Sequence, residues 1–566
     1  MGVHVNKFLR KAFALKPIDA HQLRNDGPQL KKVLGCFDIV MLGVGSIVGS
    51  GVFVLTGEAA SKYAGPGIVL SYILASLAAL FSALCYAEFA VDIPVAGTSF
   101  NYIHSVYGEF MAWMVGFNLI MEYTLSCGSI SKGFAGYLAT MMGLPSDTFF
   151  IAFDSNSIIN IDILGCLLIL ALSLLLCAGI KESSTFNNAI TGANIATILF
   201  VLATAVQYAK SDNFEPFIPP EFGSKGVYRA AGIVFFGYLG FDGVATAAEE
   251  VRNVKKDLPI GIVGSLVICT GLYVSMAAAI VGMVRYSEID VKAAFSVAFQ
   301  QMGQPWASVV VSFGALTGIV SSLLLNLLGQ ARVFMSLGRE RFLPAWIAKV
   351  DEKRQTPINA TIVTFLLGSL PALLLNIETL ASMVSIGMLF VLCLVCSGIL
   401  WRSHYKRNVT KSAKPTAGLL TVIFLASLGA GLVSDREGPG WLQIAFLGIW
   451  FVATTGFCFL PVVYKSPKFN VPFKPYIPSL GMLFTVHLIC SLGWQAYARF
   501  AIWQIFGVVI YMAYTMHHTH DYSSSNQHLL APDDFEPDEI KCKVSEGWSF
   551  QELKPRVGNI DDKDPT

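Results

Sequence analysis

The chain has 566 residues, 54% of them apolar and only 14% charged, with a formal net charge of +1. A soluble domain carries about 25% charged residues, and mean hydropathy here is +0.59, so a disordered chain and an ordinary soluble enzyme are excluded. The near-zero net charge gives no sign of a nucleic-acid partner.

The apolar residues fall in blocks of about 18–25, each long enough to cross about 30 Å of hydrocarbon as a helix. In chain order, fourteen spans are predicted: 37–57, 67–88, 111–131, 163–181, 187–209, 227–249, 260–283, 306–328, 357–376, 379–401, 417–434, 441–461, 478–494 and 499–516. The block at 478–494 is the shortest and weakest. An even count puts both termini on one face. Lys7, Arg10, Lys11, Lys16, Arg24, Lys31 and Lys32 crowd the N-terminal stretch, and the even-numbered connections hold more Lys and Arg than the odd ones. The positive-inside bias therefore places both tails, 1–36 and 517–566, in the cytoplasm. The plasma membrane is the favoured host and the vacuolar membrane the alternative.

Residues 1–36 have no apolar h-region, so no cleavable signal peptide is expected. Met1-Gly2 opens like a myristoylation site, but Asn6 stands where Ser or Thr is needed. Asn408-Val409-Thr410 matches a glycosylation acceptor, yet this topology leaves it in a cytoplasmic loop. The tail beyond about 517 is polar and Ser/Asp/Glu-rich, and Leu529-Leu530 within it matches a sorting signal only weakly. Most of the eleven cysteines sit inside apolar blocks, Cys393-x-x-Cys396 included. They read as packing rather than as a disulfide framework, a zinc site or a redox pair. No cofactor or metal site is expected.

Two spans are interrupted. The first contains Gly43-Val44-Gly45-Ser46-Ile47-Val48-Gly49-Ser50-Gly51, and the sixth contains Phe236-Gly237-Tyr238-Leu239-Gly240-Phe241-Asp242-Gly243. Interior glycine costs a helix about 1 kcal/mol relative to alanine and lets the backbone leave helical geometry. Unwound backbone in hydrocarbon survives only where protein, water or a ligand satisfies it. A half-helix starting mid-membrane offers N–H groups to a carboxylate, and one ending there offers carbonyls to an ammonium. Breaks five spans apart suggest an inverted repeat of spans 1–5 and 6–10 with substrate at the midplane. The bland reading is close helix packing through small residues, which the Gly45/Gly49 spacing also fits.

The motifs carry a resemblance. Gly45-Ser46-Ile47-Val48-Gly49-Ser50-Gly51-Val52-Phe53 followed by Leu55-Thr56-Gly57 resembles the first-helix signature of the amino acid–polyamine–organocation transporter superfamily. Glu88-Phe89, Pro94-Val95-Ala96-Gly97-Thr98-Ser99-Phe100-Asn101-Tyr102, Glu122-Tyr123, Phe235 to Asp242, Ala247-Ala248-Glu249-Glu250-Val251, Gly329-Gln330-Ala331-Arg332 and Thr356-Pro357-Ile358-Asn359-Ala360-Thr361 fit it as well. With fourteen spans, the chain resembles the cationic amino acid transporter family, in its plant-type branch. The resemblance implies an all-α polytopic membrane protein with a leucine-transporter-like 5+5 inverted repeat over 37–401 and four extra helices over 402–516. It implies that Ile47, Gly49, Ser50 and Gly51 present amides to the substrate carboxylate. It likewise implies that Phe236, Gly237 and Leu239 present carbonyls to the amine.

Polar residues within the spans are the candidates for coupling and gating. Glu122, in mid-span three, costs at least about 2.5–3.5 kcal/mol unless paired, wet or protonated. It reads as a proton site or a brace for the broken part of span one; the structural alternative is a carboxyl hydrogen-bonded to Ser126 and Ser129. Asp242 reads first as a cap for the second half of span six, and coupling or gating is the other reading. Glu249 and Glu250, beside Arg252, Lys255 and Lys256, read as an interfacial ion-pair cluster. The lysine that marks several proton-coupled relatives in span five is missing, and Asn188 appears at the matching position; an amide carries no proton here. Ser321 and Ser322 of span eight could supply oxygens to sodium, though interhelical hydrogen bonds are the commoner use. Relatives carry Gly-Gln-Pro-Arg and Arg-Asp-Gly after span eight, where this chain has Gly329-Gln330-Ala331-Arg332 and Arg339-Glu340-Arg341.

The expected activity is secondary transport of amino acids, cationic and large neutral ones included, driven by protons or membrane potential, with the lipid bilayer and the amino acid as partners. An amino acid sensor using the same site ranks second. A membrane-embedded enzyme ranks last, since no His-Glu-x-x-His, paired intramembrane Asp or Ser/His constellation is present.

Overall fold

The computed structural model describes residues 11–16, 34–49, 51–93, 99–152, 160–178, 184–246, 248, 251–351, 354, 356–406, 410 and 412–519. The molecule is an all-α polytopic membrane protein. Among the described residues, eight helical stretches are long and apolar enough to cross a membrane, and three shorter apolar helices accompany them. Apart from a two-residue antiparallel pairing of β1 (Ile151–Ala152) with β2 (Asn160–Ile161) and one isolated bridge, Leu34 to Val251, the secondary structure of the described residues is helical. In hydrocarbon a helix is the one open-chain arrangement that satisfies its own N–H and C=O groups.

The helices are α1 (Cys36–Ile47), α2 (Ile68–Asp92), α3 (Ser99–Tyr107), α4 (Glu109–Met141), α5 (Ile163–Cys177), α6 (Ser184–Tyr208), α7 (Gly223–Val234), α8 (Phe241–Thr246) and α9 (Val254–Met283). There follow α10 (Ala294–Gln301), α11 (Pro305–Arg339), α12 (Ile358–Leu374), α13 (Ile377–His404), α14 (Lys414–Asp435), α15 (Gly440–Gly456), α16 (Tyr476–Ser491) and α17 (Trp494–Ile510). Each of the fourteen apolar blocks holds helix. The stretch counted as one from Cys36 to Asp92 contains two of the blocks. The helix α4, which carries Glu109, Glu122 and Lys132, is not one of the eight. It and α11, with 33 and 35 residues, run well past the predicted ends, Lys132 of α4 and the Gln330–Arg332 stretch of α11 marking where the apolar blocks end.

Two packed groups meet at the breaks. One joins α1, α2, α7, α8 and α9; the other joins α4, α5, α11 and α12. Small residues set the closeness: a Cβ on Gly43 of α1 would lie 2.5 Å from Ser265 Oγ of α9. The helices α14, α15 and α16 pack on each other, α16 leans on α13 and α2, and α17 lies against α13 and α4.

The connection from α15 to α16 grips the end of α2. Asp92 accepts from Arg402 at 2.5 Å, Tyr464 at 3.0 Å and Ser466 at 2.6 Å. Glu88 accepts the Val471 N–H at 2.8 Å and Lys474 Nζ at 2.7 Å. Four residues apart, Glu88 and Asp92 share one face of α2. At the same end Lys16 pairs with Glu340 at 2.8 Å, and Lys11 Nζ donates to the Met516 and Thr519 carbonyls. Residues 94–98, 249–250 and 407–409, and those from 520 on with Leu529-Leu530 among them, lie outside the described residues.

Candidate substrate site

The helix α1 stops at Ile47. Val48 turns extended (φ −75°, ψ 103°) although its N–H still reaches the Val44 carbonyl at 2.7 Å. The chain resumes as a π-helical turn over Gly51–Leu55 and an α-turn over Thr56–Ala59. Single π-turns are rare and collect at functional sites. In the second interrupted element, α7 tightens into a 3₁₀ turn at Phe235–Tyr238. Leu239 is extended (φ −65°, ψ 151°), Gly240 takes φ +111°, and α8 begins. Only glycine adopts that Gly240 conformation without strain, and a Cβ there would also lie 2.6 Å from the Ser46 carbonyl oxygen. The backbone leaves the helix at Val48–Gly49 and again between α7 and α8.

The two breaks touch. A Cβ on Gly51 would collide with the Gly237 Cα and lie 3.3 Å from its carbonyl carbon and oxygen. The Tyr273 hydroxyl of α9 lies within donating distance of both the Ile47 carbonyl, at 2.7 Å, and the Gly237 carbonyl, at 2.9 Å. A phenol has a single hydrogen, so it satisfies one of these carbonyls at a time. The other is left as an acceptor for a second donor. Ser46 Oγ lies 3.0 Å from the Gly43 and Gly240 carbonyls, a third tie across the breaks.

Aromatic residues wall the junction. Tyr137 of α4 donates to the Phe53 carbonyl at 2.7 Å, and Tyr238 donates to the Tyr72 carbonyl at 3.0 Å. Thr56 Oγ1 lies 2.6 Å from Tyr72 Oη. The rings of Tyr72, Tyr238 and Tyr273 pack edge-on or tilted at 5.3–6.3 Å.

The expected site residues divide accordingly. Ile47, Gly51 and Gly237 meet through Tyr273 and direct backbone contact. Gly49 packs on Ser322 of α11 so closely that no Cβ fits. The Phe236 carbonyl accepts the Leu239 N–H at 3.1 Å, within the 3₁₀ turn. Ser50 lies outside the described residues, as do Glu249 and Glu250.

Glu122 is buried, and its Oε2 has no hydrogen-bond partner among the described residues. Among the described residues no hydrogen bond joins it to Ser126, Ser129 or the first interrupted span; the α4 residue that braces that span is Tyr137. Asp242 sits in the first turn of α8, one residue beyond the start of the helix. It accepts the Tyr123 hydroxyl at 3.3 Å, which ties α8 to α4 beside Glu122. Asn188 lies away from the break: its Nδ2 approaches Asp38 Oδ1 at 3.4 Å near the start of α1. Further along α6, Asn194 accepts from Thr317 of α11 at 3.3 Å and lies against Gly318. Ser321 and Ser322 are buried, and the Ser322 hydroxyl beside Gly49 has no hydrogen-bond partner among the described residues. Arg332 is exposed, while Glu340 pairs with Lys16.

Sequence reasoning missed Tyr273, Tyr137 and Ser46. A tyrosine in an apolar span is an ordinary core residue by composition; only its proximity to unwound carbonyls distinguishes it.

The family model for amino acid permeases matches residues 34–477, and the model for the C-terminus of that permease matches residues 469–519. The chain belongs to the amino acid permease family. Among its relatives, the vacuolar cationic amino acid transporter 8 of Arabidopsis thaliana is 36% identical, over 91% of this chain and 88% of the relative. Cationic amino acid transporter 1 of Arabidopsis thaliana is 36% identical, over 88% of this chain and 84% of the relative. The branched-chain amino acid permease BcaP of Bacillus subtilis is 33% identical, over 87% and 94%. This permease is thus a member of the cationic amino acid transporter family of the amino acid–polyamine–organocation superfamily. Its two breaks fall within the residues the permease model matches.

Proposed function

We propose that the protein moves amino acids across a membrane by alternating access, with the substrate held between the breaks at Ile47–Gly51 and Phe236–Leu239. The carrying observation is Tyr273, one hydroxyl serving two break carbonyls. An ammonium group arriving at Ile47 or Gly237 would complete what the phenol leaves half satisfied. The amides of Ile47, Gly49, Ser50 and Gly51 take the carboxylate, and the carbonyls of Phe236, Gly237 and Leu239 take the amine. The amino acid family and the relatives named for cationic and branched-chain substrates support a range spanning arginine, lysine and large neutral side chains.

In this reading fourteen spans cross the bilayer, 1–5 and 6–10 form the inverted repeat of the transport core, spans 11–14 flank it, and both termini are cytoplasmic in the plasma or vacuolar membrane. The membrane potential supplies about 2.3 kcal/mol per charge per 100 mV to a cationic substrate. Glu122, buried with an unpartnered oxygen beside the Tyr123–Asp242 pair, is the carboxyl suited to carry a co-transported proton. Asn188, bonded near Asp38, gives no support to coupling through span five, and Ser321 and Ser322 remain the candidates for a sodium-dependent variant of the mechanism. A sensor that binds in the same place without net transport is the competing reading.

Uptake of labelled arginine, leucine and glutamine into proteoliposomes, across a pH series with and without sodium, tests the proposal. Accumulation and counterflow support it. Saturable binding with no counterflow would favour the sensor.

A further inference from the structure

At the end of the bundle where α7, α13 and α17 begin, a cavity of ≈ 300 Å³ opens among Arg229, Glu378, Arg499, Asn376, Gln495 and Ile233. Its charge is unbalanced: two guanidinium groups face one carboxylate. Glu378 is already engaged, accepting the Tyr63 hydroxyl and meeting Arg229 at 3.5 Å. Arg229 lies over the Tyr63 ring with its carbon 4.6 Å from the centroid. Arg499 has neither an ion-pair nor a hydrogen-bond partner among the described residues.

The position of Arg499 restricts what can pair with it. On α17 it shares a stripe with Gln495, Ile502 and Phe506, spaced by four, three and four residues. That stripe faces outward: Ile502 is 69% and Phe506 54% exposed, and Trp494 at the head of the helix is 74% exposed. Exposed aromatic residues at the start of a spanning helix belong to the membrane–water interface. Arg499 therefore stands about one turn below the headgroup level on a lipid-facing edge, where a lone cation is costly and snorkels toward phosphate. Arg229, with five donors and a single ion pair among the described residues, has capacity for the same anion.

We propose that this cavity binds the phosphate of a membrane phospholipid. Arg499 and Arg229 hold the phosphate oxygens, and the acyl chains lie along Ile502, Phe506 and Val509. Because Glu378 and Tyr63 join Arg229 to α13 and to the segment that follows the first break, the bound lipid touches the cluster fastening three transport-core elements at this end.

The test uses the purified full-length protein, delipidated in detergent and titrated with dioctanoylphosphatidylglycerol under native mass spectrometry. Dioctanoylglycerol, which lacks the phosphate, and inorganic phosphate serve as separate arms. The expected result is one saturable phosphatidylglycerol adduct, weakened at least fivefold in Arg499→Gln and less in Arg499→Lys, with markedly weaker dioctanoylglycerol binding. Equal adduct formation by the wild type and Arg499→Gln overturns the proposal. So does displacement of the lipid by an equimolar amount of inorganic phosphate, which would reveal a site for the free anion. The Arg499→Lys variant keeps the helix face and the charge, so loss of lipid in Arg499→Gln alone is not a folding failure.

Discussion

Gly51 and Gly237 lie backbone against backbone, each at the point where its helix is interrupted, but the contact is tight on one side only. A Cβ on Gly51 would collide with Gly237, whereas a Cβ on Gly237 would meet Gly51 and Tyr273 at 3.4 Å, ordinary contact distance. Gly51→Ala and Gly51→Leu are therefore expected to lower uptake at least tenfold while the protein still reaches the membrane. Gly237→Ala should leave small substrates nearly untouched and reduce transport of large side chains. Uptake normalised to membrane-inserted protein separates these outcomes.

The Tyr273 hydroxyl is the shared donor to Ile47 and Gly237. In Tyr273→Phe both buried carbonyls lose it, at a cost of about 1–3 kcal/mol. The expected result is a lower melting temperature, with the loss reduced in saturating substrate if the ammonium takes over one carbonyl. A substrate-independent loss would mean that Tyr273 only packs the core.

Gly240 combines φ +111° with a Ser46 carbonyl 2.6 Å from where its Cβ would be. Gly240→Ala should thus disturb the α7–α8 junction by about 1–3 kcal/mol of backbone strain. Gly243→Ala, where nothing lies within 4 Å of the new Cβ, should be mild. Thermal stability of the two variants side by side gives the comparison.

Glu122 has a buried oxygen with no partner among the described residues, next to the bond between Tyr123 and Asp242. Glu122→Gln keeps the shape and removes the titratable proton. Uptake should fall and its pH dependence flatten; an unchanged pH profile would reduce Glu122 to a scaffold role.

The interruption of α1 and of the α7–α8 element was legible from glycine clusters, because nothing else in an apolar span lets backbone leave the helix so cheaply. The helices themselves were legible from block length. What sequence could not supply was which groups answer the freed carbonyls. Tyr273, Tyr137 and Ser46 come from three different helices, and their roles exist only after packing. Register along a helix was the other blind spot. Asn188, the span-five position where relatives carry a lysine, lies beside Asp38, while Asn194, nearly two turns further, meets Thr317 and Gly318 of α11; a motif match fixes the helix but not what a side chain at that height meets. The helix α3 was missed because its polar Ser99–Tyr107 segment carries no apolar block.

The Asp92–Arg402 pair shows the same limit at the end of α2. Its partners Tyr464 and Ser466 come from a connection more than 370 positions away. The two side chains are 4% and 11% exposed, so breaking the pair leaves a buried charge and costs about 3–5 kcal/mol. Asp92→Asn should lower the melting temperature clearly. Asp92→Leu combined with Arg402→Met should recover part of that loss, because the stranded charge is gone.

Counterflow of labelled arginine or leucine into proteoliposomes, measured on the same preparation as equilibrium binding, bears most directly on transport through the junction of the two breaks. For the wild type the account predicts binding together with counterflow, and for Gly51→Leu the loss of both in a protein that remains folded in the bilayer. Undiminished counterflow by Gly51→Leu would place the pathway elsewhere in the molecule.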